Sequence, residues 1–187
     1  MDGVDHSVRW PTTARLARAV VALVLLAGLA VTQACATANS HVSRLELSNA
    51  APSAEQLAER VLAELAAGNA EELASLVVTK DEFCSGVYPE LRSSKVRNVT
   101  CDFVWEMAML NHTSGFREVL GKHKGKRYSL VSLRFLAPAE RYATFTVHKQ
   151  PTVTVRDDEG REREYRLFGD VLEAEGQFKL FGFMIDY

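Results

Sequence analysis

The chain has 187 residues, of which 47% are hydrophobic and 25% charged, and a formal net charge of −2 at neutral pH. That balance supplies no cationic excess to neutralise phosphates, so nucleic-acid binding has little electrostatic support. The length suits one domain with a substantial core and leaves no room for a second of ordinary size.

In chain order, the first element is an export signal: Arg9, Arg15 and Arg18 precede an uncharged run from Ala19 to Val31 that ends in small residues. The run is shorter than the roughly 20 apolar residues that span a bilayer. Residues 1–34 are assigned to this segment. Thr32-Gln33-Ala34-Cys35 resembles the lipobox of bacterial lipoproteins, in which the cysteine becomes the lipidated first residue. Ala34-Cys35-Ala36 and Ala36-Thr37-Ala38 also satisfy the small-x-small rule for plain cleavage, and an uncleaved anchor is the third option. All three place the domain outside the cytoplasm. It is membrane-anchored on the cell envelope if Cys35 is lipidated, and periplasmic or extracellular if it is not. Loss of residues 1–34 removes two aspartates and three arginines, which takes the formal charge from −2 to −3.

Residues 35–52, largely polar and small, read as a flexible tether, with an edge strand over VSRLEL as the other option. Ser53 and Gln56 form a capping box ahead of Leu57, Val61, Leu62 and Leu65, which predicts an amphipathic helix closed by Gly68. Asn69 with Glu72, and Thr79 with Glu82, repeat the start signal for two shorter helices, the second stopped by Pro89. Phe103, Val104, Met107, Leu110, Phe116, Val119 and Leu120 predict a further helix that ends near Lys122.

The period then changes. Tyr128–Phe135 and Tyr142–Lys149 alternate as half-buried strands. Two hairpins follow, Thr152–Arg156 with Glu162–Phe168 and Val171–Ala174 with Gln177–Ile185. The last strand is apolar on both faces, so it is central, or is covered by the N-terminal segment or another subunit. The fold class is α+β, with N-terminal helices packed on a curved C-terminal antiparallel sheet over residues 53–187.

That element order, with the runs DEFCSGVYPEL, YATFTVHK and LFGDVLEAEGQFKLFGF, resembles uncharacterised bacterial exported proteins. It is also similar to the NTF2-like cone-shaped superfamily of nuclear transport factor 2, ketosteroid isomerase and the polyketide cyclases. A ferredoxin-like or other two-layer sandwich is the alternative. The resemblance implies a pocket between helices and concave sheet, and a homodimer through the sheet. No catalytic motif of the superfamily is present, so no catalytic residue is carried over.

The pocket candidates are Asp102, Trp105, Tyr128, Tyr142, His148 and Asp170, polar or aromatic residues near the predicted cavity-forming elements. An isomerase-type reaction needs a carboxylate base and a Tyr or protonated acid as oxyanion donor in an apolar cavity. Each polar candidate has a plainer reading as rim, cap or bend. Cys84 and Cys101, the two thiols left in the mature domain, either pair as a disulfide or stay as small buried hydrophobes. His41, His112, His123 and His148 are scattered without metal-ligand spacing, and no cofactor motif occurs. The GKHKGKR cluster reads as a solvated loop, with anionic headgroups as the rival partner. Three functions stay open: a non-catalytic envelope domain binding a small apolar ligand or a protein partner, an isomerase- or cyclase-type enzyme, and a purely structural interaction protein.

Overall fold

The Ser53 hydroxyl accepts the Gln56 amide and starts the longest of the early helices, α1 (Ala54–Ala67), which the left-handed Gly68 closes. The computed structural model describes residues 44–183, over which the chain is α+β: helices first, then a five-stranded antiparallel sheet. The signal segment, Cys35 and the first part of the tether lie outside the described residues. Asn69 caps α2 (Ala70–Ser75), and Thr79 and Glu82 form a reciprocal capping box over α3 (Lys80–Glu82). The chain continues through a π turn (Phe83–Val87) and two 3-10 turns (Tyr88–Glu90 and Arg92–Lys95). It then enters α4 (Cys101–His123), whose Thr100 cap accepts the Phe103 amide.

Strand β1 (Tyr128–Arg141) pairs along its length with β2 (Thr146–Asp157), from Tyr128 opposite Asp157 to Arg141 opposite Thr146. On the far side of β2 lie β3 (Glu162–Tyr165) and β4 (Val171–Ala174), and β5 (Gln177–Leu180) closes a hairpin with β4. The two strands expected over 142–149 and 152–156 are thus one, β2, interrupted by Gln150 at φ 54°. That residue swaps the strand's faces: Val147 packs in one core and Val153 and Val155 in the other, although all three numbers are odd.

Leu57, Val61 and Leu65 of α1 pack on Val153, Val155, Val171 and Leu180. These side chains are fully buried, and they fill the space between helix and sheet. A second cluster joins Leu45, Phe83, Val87, Phe145, Val147 and Leu172 on the opposite face. The β4–β5 hairpin is therefore buried on both sides, which explains its two-sided apolar pattern.

The last strand ends at Leu180 and lies at the end of the sheet order, not at its centre. Its free edge is covered by the chain itself. Ala51 exchanges backbone hydrogen bonds with Phe178, and Val78 and Leu76 bond to Leu180. Of the stretch read as a tether, residues 44–52 lie against the domain: Leu45 and Ala51 are buried, and Arg60 holds Asn49 through its carbonyl and side chain. Docking there removes Leu45 and a strand edge from water, which a free linker would leave exposed.

Candidate interaction face

The longest helix is apolar on two opposite sides. Trp105, His112 and Val119, seven residues apart, point inward: Trp105 packs on Phe83 at 5.5 Å, His112 on Phe183 at 5.8 Å, and Val119 is buried. The opposite side carries Phe103, Met107 and Leu110, which are 56, 48 and 63% exposed. Their four- and three-residue spacing keeps them on one stripe. A shallow cleft of about 440 Å³ lies beside them, on the flank of the helix between the stripe and Trp105, where Glu106, Met109 and Thr113 also line it. Three large apolar side chains placed together in water make this side a candidate contact surface.

The sequence-derived candidates are spread over the molecule. Asp102 is on the surface and pairs with Lys80 at 2.6 Å, which holds the Lys80 ammonium above its ordinary pKa. Trp105 lines the cleft just described. Tyr128 hydrogen bonds His123 at 3.1 Å and lines a separate polar cleft of about 480 Å³ with Tyr165, Asp157 and Arg163. Burial and the neighbouring Tyr165 push the Tyr128 phenol up to about 12, and burial with Lys126 and Lys122 pushes His123 down. His148 meets Glu173 at 2.6 Å between Phe135 and Phe178.

Only Tyr142 and Asp170 are linked, through a polar chain. The Tyr142 hydroxyl donates to Glu140 at 3.1 Å, and Lys149 bridges Glu140 and Asp170 at 3.6 and 3.0 Å. Burial alone would lower Lys149, but Asp170 and Glu140 outweigh it and raise its pKa. Tyr142 also borders a third cleft of about 770 Å³ with Glu90 and Arg92. None of these three clefts takes in Asp102, His148 or Asp170. Among the described residues, neither candidate carboxylate, Asp102 or Asp170, lines one of these clefts with Tyr128 or Tyr142, which sit instead beside Asp157 and Glu140. Among the described residues no three His, Cys, Asp or Glu side chains are grouped to hold a metal ion.

Cys84 and Cys101 are joined as a disulfide with a Cα–Cα distance of 5.6 Å. The bridge ties the π turn to the first residue of α4, and the Tyr88 hydroxyl, donating to the Val99 carbonyl at 2.6 Å, pins the loop between them. The helix that bears the exposed stripe is thus fastened at its start. One buried polar cluster was not anticipated from the sequence. Lys179, fully buried, donates to both Glu82 oxygens, and Glu82 accepts the Thr79 and Ser48 amides as well. Burial would raise the Glu82 carboxyl, but the Lys179, Thr79 and Ser48 hydrogen bonds overcome that and bring it down to about 2.

No protein-family model matches the chain, no curated protein is similar to it, and no solved structure matches its fold. Among the described residues no helix is long and apolar enough to cross a membrane.

Proposed function

We propose that this chain is an exported, non-catalytic domain of the cell envelope, held at the membrane through lipidated Cys35, which docks a protein partner on the outer face of α4. The observation that carries the reading is the exposed stripe Phe103, Met107 and Leu110 on a domain whose other large apolar side chains are mostly packed. The element order supports the cone-shaped superfamily reading, but the interior that would serve as a pocket in such a cone is filled by Leu57, Val61, Leu65, Val153 and Val155. That filling favours a surface partner over an enclosed apolar ligand.

A photo-crosslinking side chain placed at Phe103 or Leu110 in the living cell tests the face directly. Adducts at both positions, and none at exposed Glu71 on α2, are expected. An equal absence of adducts at all three removes the docking function.

A further inference from the structure

We infer that two copies of this chain pair through the outer side of α4, antiparallel about a two-fold axis that crosses the seam at the level of residue 112. The inference rests on the reading of α4 as a docking face and names what docks there.

The outer side of α4 carries Phe103, Met107, Leu110, Ser114, Arg117 and Gly121. Steps of four and three alternate throughout, which is the seam spacing of paired helices. The inward residues Trp105, His112 and Val119 fall diametrically opposite, so the seam points away from the domain's own core. In an antiparallel pair Phe103 faces Gly121 of the second copy, Met107 faces Arg117, and Leu110 faces Ser114. All three pairings share His112 as their midpoint, so a single two-fold axis satisfies them together and the contact closes as a dimer. Each large apolar side chain except Met107 meets a small residue, and the Arg117 stem can cover Met107.

Two further features find a reason in this pairing. Gly121 weakens a helix, yet a Cβ added there would meet nothing within 4 Å and its φ is not positive. The domain itself gives no cause for a glycine, whereas a phenyl ring of a second copy against that position does. Glu106 flanks the seam on the side that Arg117 of the second copy would occupy, one residue away in level. Among the described residues neither Glu106 nor Arg117 makes a direct ion pair, Glu106 acting only at longer range on Lys80, and the two-fold axis forms the Glu106–Arg117 pair twice.

The test is sedimentation of the full chain, purified in mild detergent, up to about 100 μM. Wild type is expected to dimerise. Gly121→Leu, which the monomer accommodates, is expected to weaken the dimer by about tenfold or more, with the melting temperature unchanged or raised. Glu106→Arg and Arg117→Glu are each expected to weaken it by about tenfold, and the double swap to return it to within about threefold of wild type. A wild-type chain that stays monomeric overturns the inference. So does a dimer indifferent to Gly121→Leu and to the charge swap, since it forms through the anchor or the sheet. A monomer that still gives crosslinks to a different protein at Phe103 and Leu110 sinks the second copy and leaves the docking face standing.

Discussion

Lys179 and Glu82 lie 97 residues apart in the chain and meet inside the protein, the lysine donating to both carboxylate oxygens at 3.0 and 2.8 Å. Lys179 is fully buried and Glu82 is 8% exposed. Ser48 completes the cluster, its hydroxyl donating to Glu82 at 2.8 Å and receiving Lys179 at 3.2 Å. One ion pair therefore joins the entering segment, the start of the π turn and the final strand. Removing one partner strands a charge away from water. Lys179→Met is expected to cost about 3–5 kcal/mol, as read from urea unfolding. A loss under about 1 kcal/mol would show that water reaches the pair.

The same cluster sets an acid limit. Because the Glu82 carboxyl is lowered from 4.5 to about 2, the folded state holds its proton more weakly than the unfolded chain does. Its contribution is complete above about 4.5 and is lost as pH falls toward about 2. Unfolding free energy measured across that window should fall more steeply in wild type than in Lys179→Met. Parallel slopes would remove Glu82 as the source.

The Cys84–Cys101 bridge closes a loop with a separation of 17 residues. In the chain-entropy account such a loop contributes about 3 kcal/mol, so Cys84→Ala with Cys101→Ala should lose about that amount in urea unfolding. Reductant should lower wild type and leave the double variant unchanged. Two free thiols in the mass of the exported wild-type domain would contradict the bridge.

Among the contacts that dock residues 44–52, Leu45 lies over Gly86. A Cβ at Gly86 would run into the Leu45 side chain, so Gly86→Ala is expected to destabilise by about 1–3 kcal/mol. Leu45→Ala alone should cost about 2 kcal/mol or more, and in its presence the Gly86→Ala penalty should shrink. Additive losses would mean that the two do not touch.

The address is tested by fatty-acid labelling of the cells. Wild type should carry label and Cys35→Ala should not. Label retained by the alanine variant would dismiss lipidation at that cysteine.

Three helix starts are legible because capping is local: Ser53, Asn69 and Thr79 each accept an amide three residues on, whereas the Thr100 cap of α4 carries no such signature in the sequence. The sheet order is not legible, and neither is the continuity of β2. A non-glycine residue with positive φ at Gln150 leaves no sequence signal for a change of face. Lys179 reads as a solvent-facing break in an apolar strand, and its partner Glu82 as a cap. Only the three-dimensional approach of the entering segment shows that both are enclosed. Tyr128, His148 and Asp102 lie near the elements expected to form a cavity, but nearness in sequence says nothing about convergence, and each has partners of its own. The outer stripe of α4 read as helical spacing, but periodicity alone gives no reason for apolar residues on both sides of one helix.

Ser48 and Lys179 touch although 131 residues separate them, and Ala51 edges the strand that contains Lys179. Two segments made far apart in time are thus structural neighbours, and these contacts cannot form until the chain has emerged through Lys179. Loop closure on that scale makes completion slow relative to local helix formation. On the export route proposed above, such a late latch keeps the chain threadable until its destination.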